Sequence, residues 1–185
     1  METLIIFVIA LGLAMDCFTI AISNSSVSGL VKPGIPLKTA IAFSFAHLVL
    51  LFAGYWLGGV IASMFQGLEA WVAFIILGIV GLKMIMEARK RHPKTKVFDI
   101  NQAQVIVVLS LATAMDAFLA GIALGVNSMR IYLAGFLVAL TVFILTLSGM
   151  VSGKDFGIAY ARRTAYFGGV FLLMAALIFL WLLVG

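Results

Sequence analysis

Two short words of nearly identical sequence place a carboxylate inside apolar stretches of the chain: AMDCF at residues 14–18 and AMDAF at residues 114–118. An aspartate at the centre of a membrane helix is disfavoured by about 2.5–3.5 kcal/mol on insertion scales, so it faces a partner, a cavity or a pathway. Asp16 and Asp116 are therefore the first candidates for a functional site. The structural alternative is a protonated carboxyl group that satisfies a neighbouring helix.

Two carboxylates that meet without a resident cation repel each other, and a divalent metal ion between them removes that repulsion. Two basic residues, Lys83 and Arg130, are expected near helix ends, where long side chains reach outward. Lys83 has Glu87 four residues later, which is the spacing of an interfacial ion pair. The sequence therefore predicts a cation site at the aspartates. Carboxylate, carbonyl and water ligands suit Mg²⁺, Ca²⁺ and Mn²⁺, whereas a thioether ligand would favour Mn or Fe.

Other side chains near the aspartates could complete a ligand shell, together with backbone carbonyls near small residues. The side chains are Met15, Thr19 and Ser23 beside Asp16, and Thr113, Met115 and Asn127 beside Asp116; the small residues are Gly12, Gly121 and Gly125. Interhelical hydrogen bonding and core packing are the alternative for each of them. His47 is predicted to be a metal ligand or proton relay, or else a neutral histidine bonded to a neighbour. Cys17 is interpreted as a small buried residue, with soft-metal binding as its alternative.

The composition defines the solvent around these residues. Of 185 residues, 64% are hydrophobic and 10% are charged, whereas soluble domains are about 45–50% apolar and about 25% charged. A transmembrane helix needs about 20 apolar residues, and six runs have that length: 3–25, 37–62, 69–88, 102–126, 131–152 and 164–184. We therefore predict an all-α membrane protein without a soluble domain. Its first run is expected to be a retained helix and not a cleaved signal peptide.

A sequence repeat relates the two aspartate words. An offset of 100 residues pairs Asp16 with Asp116 and aligns flanking residues: Leu11 with Leu111, Ala14 with Ala114, Met15 with Met115, Phe18 with Phe118 and Ile22 with Ile122. The first apolar run thus matches the fourth, so the repeat unit is three helices. Because three is an odd number, the second copy enters the membrane from the opposite side, as in inverted-repeat transporters. We expect one membrane domain with two inverted three-helix repeats, residues 1–95 and 96–185. Each aspartate lies about 18 Å along its helix, near the midplane of a core about 30 Å thick.

Lysine and arginine residues are distributed unevenly among the connections. One side has only Arg130, and the other has Lys32, Lys38, Arg89, Lys90, Arg91, Lys94, Lys96, Lys154, Arg162 and Arg163. Since short basic loops stay in the cytoplasm, both termini are predicted to lie outside. The formal charge of +5 comes mostly from the basic loop at residues 89–96. This charge predicts contact with lipid headgroups of the bilayer and no nucleic-acid partner.

Stretches along the whole chain resemble those of a known family. They are GLAMDCFTIAIS (12–23), ATAMDAFLAGIALG (112–125) and WVAFIILGIVGLKMIMEA (71–88), with weaker matches at GYWLG (54–58) and Gly168-Gly169. The family is that of the MntP-type manganese efflux pumps. The resemblance implies six helices in two inverted repeats, the bacterial inner membrane, and export of Mn²⁺ with Asp16 and Asp116 as the essential carboxylates.

The chain departs from the family pattern at a few positions. Family members often have alanine in place of Cys17. In the second helix they often have a glutamine followed by a Met-Pro pair, where this chain has His47 and then Leu50-Leu51. The missing proline removes an expected kink, and the histidine adds a titratable ligand. These differences bear on the metal preference and leave the transporter class unchanged.

We therefore predict a bacterial inner-membrane exporter that is not an enzyme, with Mn²⁺ as its transported substrate and no cofactor. In the expected alternating-access cycle, cytoplasmic Mn²⁺ displaces a proton from the aspartate pair and one repeat rocks against the other. Reprotonation outside then releases the ion, so protons are the expected counter-ion. The alternatives are export of Cd, Zn or Fe, transport of a small organic cation, and intramembrane aspartyl proteolysis, which needs two aspartates that share a proton.

Overall fold

The computed structural model describes residues 2–27, 34–64, 69–89 and 102–184, and every element within these ranges is an α-helix. The helices are α1 (Glu2–Val27), α2 (Ile35–Met64), α3 (Glu69–Arg89), α4 (Ala103–Val126) and α5 (Ile131–Val184). Four stretches are long and apolar enough to cross a membrane: Glu2–Ser25, Ile35–Ser63, Ala103–Val126 and Ile131–Ser152. Shorter apolar helical stretches occupy Trp71–Met86 and Tyr166–Ile178. The predicted all-α fold class is confirmed.

All 54 residues of the last element, α5, are helical, whereas the sequence predicted separate helices at 131–152 and 164–184. Ser25 Oγ of α1 donates a hydrogen bond of 2.7 Å to the Met150 carbonyl, and Gly168 packs against Gly12. If α5 were straight, Gly168 would lie about 27 Å beyond Met150. Its contact with Gly12 instead places Gly168 about 20 Å from the level of Ser25, back toward the start of α1. The backbone therefore reverses between Met150 and Gly168. α5 thus makes two passes, which we call its first limb (131–152) and its second limb (166–178).

The helix α1 is the most buried of the four long apolar spans. It packs along α5, while α2 packs on α4, and α3 contacts both α4 and α5. Ile5, Ile9 and Leu13 of α1 are fully buried and share one cluster with apolar residues of all the other helices. Large apolar side chains also cover the outer face, where Trp56 and Tyr132 are exposed. Helices that are apolar on all sides are typical of membrane spans.

The helices α2 and α4 approach each other closely through two Gly-x-x-x-Gly words, at residues 54–58 and 121–125. A β-carbon added to any of these four glycines would collide with a carbonyl oxygen of the facing helix: that of Phe118 for Gly54, Ile122 for Gly58, Leu51 for Gly121 and Tyr55 for Gly125. Small residues at such positions let membrane helices pack at backbone contact. This contact fixes the position of α4, and therefore of Asp116, against α2.

The turn after α4 ties one end of the bundle to the start of α1. Ser128 takes a positive φ of 51°, and its N–H donates to the Gly125 carbonyl at 3.1 Å, which is part of a Schellman-type helix end. The N–H of Arg130 then donates to Glu2 Oε1 at 2.7 Å. The two residues also form an ion pair of 3.6 Å between Nε and Oε2. Both segments therefore lie at the same end of the bundle, as alternating passes require.

Candidate functional site

Asp116 forms an ion pair with a lysine of the neighbouring helix α3. Lys83 Nζ lies 3.1 Å from Asp116 Oδ1, and the two side chains are 52% and 15% exposed, respectively. The expectation that the Lys83 side chain reaches outward from a helix end, and so leaves the aspartates without a resident cation, is therefore wrong. The side chain of Glu87, the predicted partner of Lys83, lies outside the described residues.

The expectation was wrong because the depth of Lys83 in the membrane was measured from the end of its predicted helix. Lys83 lies six residues before the end of α3, or about 9 Å along the axis, and its side chain was expected to reach outward. That counting assumes that α3 ends at the same level at which α4 begins. The flexible four-carbon stem of a lysine instead lets the ammonium point inward wherever a carboxylate of the adjacent helix is in reach.

Asp16 lies on the helix α1, where it is half-buried next to the fully buried Cys17. The charges of both Asp16 and Asp116 act electrostatically on the Cys17 thiol, and the charge of Asp116 also acts on His47. The four side chains come from α1, α2 and α4. The bundle therefore gathers two carboxylates, a thiol and an imidazole in one region of an otherwise apolar interior.

Cys17 and His47 are in direct contact. The His47 ring is buried, and its Nδ1–H donates a hydrogen bond of 2.8 Å to the Phe43 carbonyl. Because a carbonyl oxygen only accepts, this bond assigns the proton of a neutral ring to Nδ1. Nε2 therefore presents its lone pair to the Cys17 sulfur, 3.3 Å away.

The hydroxyl and amide side chains predicted to complete a metal shell donate hydrogen bonds within their own helices. Thr19 donates to the Met15 carbonyl at 2.8 Å and Ser23 to the Thr19 carbonyl at 2.8 Å. Asn127 donates to Ala123 at 2.9 Å, and Thr113 donates to both Leu109 and Ser110. A hydroxyl or amide that donates in this way keeps its oxygen as an acceptor, so these bonds are compatible with the predicted ligand role without testing it.

The two methionines that flank the aspartates occupy different environments. Met15 is half-buried and packs where Gly168 of the second limb approaches α1. Met115 is 53% exposed on the outer side of α4. Successive residues of an α-helix point about 100° apart, so Met115 and Asp116 face different directions. The role of Met115 as a ligand stays a prediction.

Within the described ranges, no group of three or more His, Cys, Asp and Glu side chains is arranged to hold a metal ion. An ion bound by the aspartates would therefore need carbonyl, hydroxyl, amide or water ligands as well. Sequence reasoning missed two buried hydroxyls that lack a hydrogen-bond partner among the described residues, those of Thr39 and Thr146. It also missed Lys83 as a member of the site, although a lysine inside an apolar run was a visible signal.

An all-helical bundle with charged groups in its apolar interior is typical of membrane transport proteins. Residues 31–180 match the sequence profile of the family described as "Putative manganese efflux pump". The chain belongs to this family, which confirms the resemblance inferred from the sequence. The family is one of transporters, so the prediction that the protein is not an enzyme is also confirmed.

Relatives of similar length carry the name "Putative manganese efflux pump MntP". The protein of Methanothermobacter thermautotrophicus is 31% identical, over 96% of this chain and 95% of its own length. That of Desulfitobacterium hafniense is 32% identical, over 96% of this chain and 93% of its own. That of Methanoregula boonei is 30% identical, over 94% of each chain. No solved structure matches the chain.

Proposed function

We propose that the protein exports divalent manganese from the cytoplasm, with Asp16 and Asp116 as the carboxylates that bind the ion. The names of its relatives supply the substrate. The observation that carries the proposal is the placement of two carboxylates inside an apolar bundle: Asp16 adjoins the buried Cys17–His47 contact, and Asp116 is 15% exposed and paired with Lys83. Groups as costly as these in a membrane interior are retained where a charged substrate passes.

Lys83 gives this site a built-in cation for the part of the cycle without metal. The ammonium offsets negative charge at Asp116, which lowers the cost of holding carboxylates in a low-dielectric interior. When Mn²⁺ binds, its two charges replace the role of the ammonium at Asp116. The Lys83 side chain is half-exposed, so it can turn away from Asp116 without leaving a fully buried position.

We further propose that the passes form two inverted repeats, residues 1–95 and 96–185, and that the site is exposed alternately to the two sides of the membrane. Matching contacts at the equivalent phenylalanines support this arrangement. The Phe18 carbonyl of α1 faces Gly149 of the first limb of α5, and the Phe118 carbonyl of α4 faces Gly54 of α2. The helix that follows each aspartate word thus packs against the aspartate helix of the other repeat.

Antiport with protons, location in the bacterial inner membrane and both termini outside complete the proposal. Protonation of a carboxylate would lower the negative charge of the metal-free site, which favours the return step. Cd²⁺, Zn²⁺ and Fe²⁺ are alternative substrates, and the buried Cys17–His47 contact favours the softer of these ions. Nothing in the family comparison favours an organic cation or proteolysis.

Export can be tested in bacterial cells that lack their own manganese exporter and express the wild-type protein, Asp16→Asn or Asp116→Asn. We expect both variants to insert at wild-type levels and to leave cellular manganese at the level of cells without the protein. Glu2→Gln is the matched control, because Glu2 is a carboxylate at the bundle end, paired with Arg130. Normal manganese export by both asparagine variants would contradict the proposed site.

A further inference from the structure

The contact between Cys17 and His47 combines two metal-binding side chains that the manganese proposal does not require. Cys17 is the single cysteine of the chain, and its sulfur lies 3.3 Å from His47 Nε2. Cys17 is 0% exposed and His47 is 1% exposed. A thiol and an imidazole are ligands that favour zinc and softer ions over manganese, which prefers carboxylate and water.

The distance between the two ligand atoms suits a shared metal ion. Zinc binds thiolate sulfur at about 2.3 Å and histidine nitrogen at about 2.0–2.1 Å, in tetrahedral geometry. With those bond lengths, the observed 3.3 Å between Sγ and Nε2 corresponds to an S–metal–N angle of about 100°. An ion at those distances from both atoms lies to one side of the Nε2–Sγ line and replaces the S–H···N hydrogen bond.

His47 is also oriented as a metal-bound histidine usually is. Its Nδ1–H donates to the Phe43 carbonyl at 2.8 Å, and ligating histidines almost always donate their second ring N–H to a carbonyl or carboxylate. This bond holds the ring in one orientation and leaves the Nε2 lone pair directed at Cys17. His47 therefore offers an unprotonated Nε2 beside the thiol, and a tilt of the ring turns its lone pair from the sulfur to the ion.

Negative charge for a bound cation is available in the surroundings of the pair. Both Asp16 and Asp116 act electrostatically on Cys17. Their carboxylates are not within metal-binding distance together with Cys17 and His47, since no set of three such side chains meets in the described part of the chain. A third ligand would come from the rotation of a carboxylate or from water. The thiol loses its proton to solvent when the ion binds, so one H⁺ is released for each ion.

We propose that Cys17 and His47 form a binding site for a soft divalent cation of the Zn²⁺ or Cd²⁺ class, adjoining the aspartates. The site does not depend on manganese export, because binding requires only the folded bundle. An ordinary S–H···N hydrogen bond gives the same separation without a metal, so the experiment must detect the thiolate–metal bond itself.

The first test is a Cd²⁺ titration of the purified full-length protein in detergent, followed by the ultraviolet thiolate-to-cadmium charge-transfer absorbance. Since the chain has one cysteine, this absorbance reports on Cys17 alone. We expect it to saturate at one Cd²⁺ per chain. Cys17→Ala should abolish it, and His47→Gln should weaken Cd²⁺ binding at least tenfold. Met86→Leu is the control, because this exposed thioether on α3 should have no effect.

The absence of the band in the wild-type protein would overturn the proposal. Wild-type Cd²⁺ affinity in His47→Gln would do the same, because the thiol would then bind the ion without the imidazole. A second measurement avoids variants that fail to fold: Zn²⁺, but not Mg²⁺, should displace Cd²⁺ from the wild-type protein and remove the absorbance. Removal of the absorbance by Mg²⁺ as readily as by Zn²⁺ would overturn the proposal as well.

Discussion

Replacement of Lys83 by methionine tests the role of the resident cation. The variant keeps most of the side-chain stem and removes the ammonium that lies 3.1 Å from Asp116 Oδ1. Without it, Mn²⁺ no longer competes with a positive charge for Asp116. We therefore expect Mn²⁺ to bind more tightly. We also expect the metal-free protein to return more slowly to its cytoplasm-facing state, because no ammonium of residue 83 offsets the charge of Asp116. The apparent KM should fall, and the maximal rate should fall with it.

The size of the effect follows from the geometry of the pair. Two unit charges 3.1 Å apart attract each other by about 5 kcal/mol at an effective dielectric constant of ~20. Lys83 is 52% exposed, so this value must be reduced toward the ~1 kcal/mol that exposed pairs contribute. A difference of about 1 kcal/mol corresponds to a change of about fivefold in affinity. We therefore expect Lys83→Met to lower the KM for Mn²⁺ by about fivefold.

The assay is saturable Mn²⁺ uptake into inside-out membrane vesicles, with rates divided by the amount of protein. Lys83→Arg should restore both parameters toward wild-type values, because it restores the positive charge. Arg130→Met is the matched control, since it breaks the 3.6 Å ion pair with Glu2 at the bundle end. An unchanged or raised KM in Lys83→Met would refute the reasoning, and so would an equal shift in Arg130→Met.

Three further predictions concern packing and surface contacts. Gly58→Ala inserts a methyl group against a carbonyl of α4 and should destabilise the bundle by about 1–3 kcal/mol. Gly59→Ala, at a position with open space, is the control and should have no such effect in thermal unfolding of the protein in detergent. Thr146→Val should keep or raise the melting temperature, because it removes a buried hydroxyl without a described partner; a clear drop would show that the hydroxyl is bonded. Glu2→Gln should cost less than about 1 kcal/mol, because the pair it weakens with Arg130 is exposed.

The positions of the helices could be predicted because each apolar run is long and bounded by polar or turn residues. The predicted run at 102–126 differs by one residue from α4, Ala103–Val126, and the turn at Asn127-Ser128 lies directly after it. The absence of a non-helical residue between the two limbs of α5 was not predicted. The length of the apolar runs indicates that the chain makes two passes, but not whether the residues between them are helical.

The site was only partly predictable. The costly placement of Asp16 and Asp116 in apolar runs is a signal within the local sequence. The contact between Cys17 and His47 joins residues 30 positions apart on different helices, and no periodicity in either helix indicates which faces meet. The Lys83–Asp116 pair depends on the relative height of two helices, which hydropathy does not specify.

The measurement that most directly tests manganese export by the aspartate pair is Mn²⁺ transport in proteoliposomes that contain a pH indicator, with wild-type protein beside Asp116→Asn. Zn²⁺, Cd²⁺, Ca²⁺ and Mg²⁺ are tested in the same way. We expect Mn²⁺ movement with opposite proton flow in the wild-type protein and neither in the variant. Absence of movement of any metal by the wild-type protein, or undiminished Mn²⁺ transport by Asp116→Asn, would contradict the proposal.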